Sequence, residues 1–208
     1  MSAVQCFMVE PANRARRYLR RFRWTDPSPC QSGSCCDARF LIDEVPGTII
    51  DGAWDFPPMD LPPPDDPRWP QKCEACGTSF SASDEYQVFH TPLWVNPLDG
   101  TLYTRQGRAE APGMMFDAFW LHDHPEWCGP DGRSIHVVCP DGHTWCIDSR
   151  ASNCTMPEEK AHKCWVRHGD PPNLTVDKNG MTCAAGAGSI QTPKWHGFLT
   201  GGILSESR

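Results

Sequence analysis

Between Asp55 and Pro70 the chain reads Asp-Phe-Pro-Pro-Met-Asp-Leu-Pro-Pro-Pro-Asp-Asp-Pro-Arg-Trp-Pro. No helix or interior strand runs through such a segment, because each proline lacks an amide donor and fixes φ. Trp54, Phe56, Leu61 and Trp69 offer anchors along it, so it reads as an extended, ordered connector. Over all 208 residues, 21 prolines and 17 glycines extend the same constraint, and they predict short strands joined by ordered turns.

The strand signals agree with that expectation. Phe40-Leu-Ile and Thr48-Ile-Ile read as short strands. Residues 86–104 read as a β-hairpin whose turn is Asn96-Pro-Leu-Asp99-Gly100, the Asp-Gly pair supplying the reversal. Ser134-Ile-His-Val-Val-Cys, Thr144-Trp-Cys-Ile and Lys163-Cys-Trp-Val-Arg each look like a half-buried strand. The apolar run Met114 to Leu121 reads as a buried short helix or strand between two halves.

With 26 acidic against 19 basic residues the formal net charge is -7, which excludes a general polyanion binder. The positive charge is concentrated at Arg14, Arg16, Arg17, Arg20, Arg21 and Arg23, interleaved with Tyr18, Leu19, Phe22 and Trp24. Such a run is either an arm that makes a local nucleic-acid or acidic-partner contact, or a solvated element paired with the chain's own carboxylates. No stretch is apolar enough for a membrane span, and Met1-Ser-Ala-Val-Gln-Cys6 lacks the features of a secretory signal. The expected setting is the cytoplasm, or an assembly built there.

Twelve cysteines without an export signal favour metal ligands and buried thiols over disulfides. Cys73-x-x-Cys76-Gly77 has the form of a zinc knuckle, in which two thiolates reach one ion and the glycine lets the backbone turn. Four ligands close a structural zinc site, and the best remaining pair is Cys30 with Cys35 or Cys36; the set taken forward is Cys30, Cys35, Cys73 and Cys76. A second group spans His122, His124, Cys128, Cys139, His143, Cys146, Cys154, His162, Cys164, His168, Cys183 and His196. It completes no four-ligand pattern of recognised spacing, and its members read as core thiols and hydrogen-bonded imidazoles.

These features define a β-rich α+β expectation. Residues 1–120 comprise the Arg-rich arm and a zinc-ribbon-like domain, and residues 121–208 a Cys/His-rich domain of short antiparallel strands.

The Cys73-Glu-Ala-Cys76-Gly segment and the Ile147-Asp-Ser-Arg-Ala-Ser-Asn-Cys154 stretch resemble an uncharacterised family of bacteriophage-encoded proteins. The resemblance covers most of the chain and implies phage or host proteins as partners. Gly188-Ser189-Ile190, followed by His196-Gly-Phe-Leu and Gly201-Gly, resembles the end of BubE-type domains, which are implicated in serine-type proteolysis. That likeness spans about 30 residues, and Gly188 and Trp195 stand where the family pattern has proline and cysteine. It implies Ser189 as nucleophile and His196 as its base, with Asp148 or Asp177 as orienting carboxylate; Cys183 with His196 is a second pairing. Three functions follow as expectations: a zinc-stabilised hydrolase, a non-enzymatic virion protein such as a capsid decoration or head-tail factor, or a regulator of host machinery.

Overall fold

The computed structural model describes residues 3–24, 35–104, 111–160, 162–180, 183, 185 and 188–207, apart from the side chains of Trp24 and Cys35. Cys30 and Gly186 lie outside the described residues. Among the described residues the regular structure is sixteen strands and two three-residue 3-10 turns, Phe119–Leu121 and Pro125–Trp127. The strands are β1 (Val4–Gln5), β2 (Phe7–Met8), β3 (Glu10–Trp24), β4 (Cys35–Pro46), β5 (Thr48–Ile50), β6 (Ala53–Asp55), β7 (Glu85–Val95), β8 (Leu102–Thr104), β9 (Met114–Asp117), β10 (Ile135–Val138), β11 (Thr144–Cys146), β12 (Val166–His168), β13 (Thr175–Asp177), β14 (Ile190–Gln191), β15 (His196–Thr200) and β16 (Ile203–Glu206).

The β-rich expectation holds, but the α+β class is corrected to all-β among these residues. Even stretches free of proline and glycine, residues 12–24 and 35–45, lie in β3 and β4 and pair with one another instead of coiling. Among the described residues no helix is long and apolar enough to cross a membrane. The chain divides into two units, but not by a single cut near residue 120. One comprises Ala12–Ile50 and Trp54–Leu93, and the other Met1–Pro11, Asp51–Ala53 and Trp94–Arg208. The smaller unit is thus inserted between segments of the larger one.

In the smaller unit, β3 lies between β4 and β7. This is where the arginine run goes. Arg16 Nε meets Glu44 at 3.2 Å directly across the β3–β4 ladder, and Arg17 forks onto Asp43 at 2.9 and 2.6 Å. Arg20 forks onto Asp37 at 2.9 and 3.0 Å, while Arg14 lies 3.5 Å from Glu44. Arg21 donates to the Ser81 carbonyl, and Arg23 holds both oxygens of buried Asp84 at 2.6 and 2.5 Å. A register shift between Arg17 and Tyr18 leaves Ile42 of β4 without an opposite residue, and Ala15, Leu19 and Phe22 of β3 are buried. The proline-rich connector is ordered as expected. Trp69 is buried, donates from Nε1 to the Pro63 carbonyl at 2.9 Å, and meets Tyr86 edge-on, while Phe56 stacks on His90.

The larger unit is built from two sheets. One has the order β1-β16-β15-β13-β12 with β14 added on β15, and the other the order β11-β10-β9-β2, with β2 parallel to β9. Met115, Ile135 and Val137 of the second sheet pack with Val176, Ile190, Leu199 and Leu204 of the first. The opposite face of the second sheet is covered too: Met114, Phe116 and Val138 cluster with Val9 and Trp94. Burial on both faces explains why Met114-Met-Phe and Val137-Val lack polar alternation. The predicted 86–104 hairpin is present, closed by Asn96 and Thr101 at 2.9 Å with Gly100 at φ 74°.

Asp84 reports on the smaller unit. Its pair with Arg23 holds the carboxyl down at about 2, so its contribution to stability is present above about 4 and is lost as pH falls through about 2. Acid unfolding of the wild type followed by tryptophan fluorescence should steepen in that window. Asp84→Asn should be less stable at pH 7 and show a flatter profile there.

Candidate metal centres and a serine–histidine pair

Two clusters of ligand side chains bring their donor atoms within 4.8 Å of one another and can hold a metal ion: Cys36, Cys73 and Cys76 in the smaller unit, and Cys154, His162, Cys164 and Cys183 in the larger. The first is the knuckle expected from the sequence. Cys73 N–H donates to the Thr78 carbonyl at 2.9 Å, Gly77 N–H to the Cys73 carbonyl at 3.0 Å, and Gly77 adopts φ 72°, which closes the turn around the sulfurs. The knuckle docks on β4 through Glu74 N–H and the Asp37 carbonyl at 3.3 Å. There Cys36 contributes a buried sulfur 3.7 Å from Cys76. Of the two alternatives in the Cys35-Cys36 pair, Cys36 is therefore in the cluster; the side chain of Cys35 and all of Cys30 lie outside the described residues.

The chemistry of this group fits a cation. Burial and the hydrogen bond with Cys76 push the Cys36 thiol up to about 12, whereas Thr78 holds Cys76 down at about 6. One thiolate beside a resisting thiol is the behaviour of sulfurs that share a site without a counter-charge, and a central cation lets all of them ionise.

Several members of the second Cys/His group have other partners. Cys139 lies in the core of the larger unit, where burial pushes its thiol up to about 12. His143 faces Asp141 at 3.2 Å, His122 faces Asp117 at 2.8 Å and His124 faces Glu126 at 3.4 Å. None of Cys139, His143, His122 and His124 belongs to either ligand cluster.

On the outer face of the first sheet, β14 and β15 pair antiparallel, with Gln191 opposite His196 and Ile190 opposite Gly197. Ile190, Gly197 and Leu199 point inward, so alternation turns Ser189, Gln191, His196 and Phe198 outward together. Ser189 Oγ lies 2.9 Å from His196 Nε2. The other imidazole nitrogen, Nδ1, lies 2.9 Å from Ser207 Oγ, and Ser207 N–H also binds the His196 carbonyl at 2.9 Å. A proton on Nδ1 satisfies both contacts: it is donated to Ser207, and Nε2 accepts from the Ser189 hydroxyl.

Local packing fixes this arrangement. Trp195 covers Gly197 so closely that a Cβ there would lie 2.3 Å from the indole and 2.1 Å from the Ser205 carbonyl. Asp141 ties down the loop before His196, accepting from Thr192 Oγ1 at 2.6 Å and from Lys194 N–H at 3.1 Å. Ser189 and Gln191 also line a groove of about 570 Å3 with Trp145, Arg150, Ala151, Ser152, Asn153 and Trp165.

Ser189 and His196 thus come together, but the carboxylates expected to orient the histidine are engaged elsewhere. Asp148 is buried 3.2 Å from Arg167, and burial raises its carboxyl to about 6. Asp177 binds His168 at 2.9 Å and Asn179. It is Ser207 that meets His196 Nδ1, and Cys183 belongs to the second ligand cluster, with Cys154, His162 and Cys164. Nothing in the sequence near Ser207 marked it. Asp141 lay in a legible Pro-Asp-Gly turn, but its bond to a loop some fifty residues away did not.

No family model matches the chain, and neither a curated protein nor a solved structure matches it.

The knuckle yields a direct test. Cys73→Ser should lose about one equivalent of bound metal by elemental analysis and melt of the order of 10 °C lower, because metal binding and folding are coupled. Unchanged metal content would remove the knuckle as a metal centre.

Proposed function

We propose that this chain is a zinc-stabilised accessory protein, of the phage-encoded kind its sequence resembles, that carries a serine-type hydrolase site at Ser189. The observation that carries the reading is the 2.9 Å contact of Ser189 Oγ with His196 Nε2, in an imidazole whose other nitrogen is held by Ser207. The zinc is structural and takes no part in the chemistry.

The roles follow from this order of contacts. Ser189 Oγ attacks a carbonyl carbon as its proton passes to His196 Nε2, and the imidazolium keeps its Nδ1 proton on Ser207. Collapse of the tetrahedral intermediate breaks the bond to the leaving group, which takes the proton from Nε2. Water, deprotonated by the same nitrogen, then releases the acyl group and restores Ser189. A neutral hydroxyl stabilises imidazolium less than a carboxylate does, so a slow enzyme is expected. Phe198, 39 % exposed on the same face as His196, offers an apolar contact, and the groove walls offer amide and indole groups. Together they suit an extended peptide.

A second reading rests on the same groove: Trp145 and Trp165 meet edge-on in its wall and can anchor a partner without catalysis, as in a virion protein. The regulator reading has less support, since the arginine run is paired with the chain's own acids.

A fluorophosphonate probe separates the two. Wild type should label at Ser189, and Ser189→Ala and His196→Ala should not, at unchanged metal content. Ser207→Ala should slow labelling about tenfold to a hundredfold, the loss of one hydrogen bond to a charged group. Absence of wild-type labelling, together with the protein at fixed stoichiometry in purified particles, would favour the adhesive role.

A further inference from the structure

The larger unit contains a stretch that its sheets do not hold. Residues 149–164, between β11 and β12, contribute no strand among the described residues, and their backbone N–H bonds are local turns such as Cys154 N–H to the Ala151 carbonyl at 3.1 Å. Among the described residues the apolar cluster beneath them is small: its buried members are Cys164, Cys183 and Ala185, with Ala151, Cys154, Met156 and Trp165 against it. Those residues bury too little area to fix some fifteen residues of chain. Two of its buried side chains are thiols.

We infer that Cys154, His162, Cys164 and Cys183 form a structural zinc site, and that the bound ion assembles the groove beside Ser189. The cluster offers one atom from each residue, all within 4.8 Å of one another. Cys164 Sγ lies 4.0 Å from Cys183 Sγ and 3.9 Å from His162 Nε2, and Cys183 Sγ lies 4.0 Å from Cys154 Sγ. Zinc–sulfur bonds of about 2.3 Å place the sulfurs of a tetrahedral site about 3.8 Å apart, close to these edges. A disulfide needs about 2.05 Å, and these cysteines are free.

The surroundings are those of bound thiolates. Cys183 Sγ accepts from Thr155 N–H at 3.4 Å, Thr155 Oγ1 at 3.3 Å and Ala185 N–H at 3.3 Å, and Cys154 Sγ accepts from Met156 N–H at 3.4 Å. Three thiolates, one neutral imidazole and Zn2+ carry a net charge of -1, with three protons released on binding. Lys178 places its ammonium against the ligand backbone, donating to the Cys164 carbonyl at 2.8 Å, to the Cys183 carbonyl at 3.4 Å and to that of Ala185. Arg150 donates to the His162 carbonyl at 3.0 Å and the Pro157 carbonyl at 2.9 Å, closing the loop over the site. Such outer contacts orient ligands and balance the charge of a metal centre.

The link to the groove is one of chain continuity. Arg150, Ala151, Ser152 and Asn153, which form one wall, run directly into ligand Cys154, and Trp165 directly follows ligand Cys164. The ion thereby clamps both walls. This claim does not depend on hydrolysis at Ser189, because it concerns metal content and order alone.

The test uses full-length protein and elemental analysis beside cobalt substitution. Cys164→Ser should lose one metal equivalent, additional to the one lost in Cys73→Ser. His162→Cys should keep its full metal content and show a cobalt–thiolate charge-transfer band strengthened by the fourth sulfur, which keeps the test valid if the serine variant fails to fold. Hydrogen exchange should show Ala151–Asn153 and Trp165 losing protection in Cys164→Ser while β9 and β10 keep theirs. Unchanged metal in Cys164→Ser, or an unaltered cobalt spectrum in His162→Cys, would overturn the site. Metal loss without a change in exchange at the groove walls would overturn its scaffolding role. Fluorophosphonate labelling is a separate readout, so failure of the hydrolase reading leaves these outcomes untouched.

Discussion

The larger unit depends on the two-sided burial of β9 and β10. Met115, Ile135 and Val137 reach into one core and Met114, Phe116 and Val138 into the other, so a single pair of short strands serves both. Fully burying a side chain of this kind contributes about 1.5–3 kcal/mol, and few other segments bury so many in so few residues. The first sheet, which presents Ser189 and His196 to solvent, takes its position from this pair through Ile190 and Leu199.

Away from that core, different interactions take over. The smaller unit joins β3 to β4 through arginine–carboxylate forks, each contributing only about 0.2–1 kcal/mol where exposed, and adds a sulfur cluster beneath its knuckle. Among the described residues the 149–164 segment has neither a ladder nor a sizeable apolar base, and its ligand cluster stands beside the small group of Cys164, Cys183 and Ala185. Ligand clusters thus occur where apolar residues are scarce, and strands where they are dense.

What could be read in the sequence follows the range of each interaction. The Asn96–Gly100 turn, the knuckle at Cys73 and Cys76, and the ordered proline connector are encoded within a few residues and appear as expected. The Ser189–His196 contact spans one short hairpin and was reached by resemblance. The second ligand set was missed as a set because its members are eight, two and nineteen residues apart, a spacing that only the fold converts into proximity. Asp148 was taken for the orienting acid because a carboxylate is the usual partner of a catalytic histidine, but buried Arg167 competes for it. The arginine run was ambiguous for the same reason, since its acidic partners lie on a neighbouring strand and in the turn at Asp84.

The pairing of β1 with β16 has a consequence for how the molecule is made. Val4 faces Leu204, Gln5 faces Ile203, and Cys6 N–H binds the Gly202 carbonyl at 2.7 Å. During synthesis these first residues leave the ribosome long before their partners exist, whereas residues 12–93 contain both strands of the arginine–carboxylate ladder and can close behind them. Translation order therefore favours completion of the inserted unit first, while β1 waits until residues 203–204, some two hundred positions later, have been made.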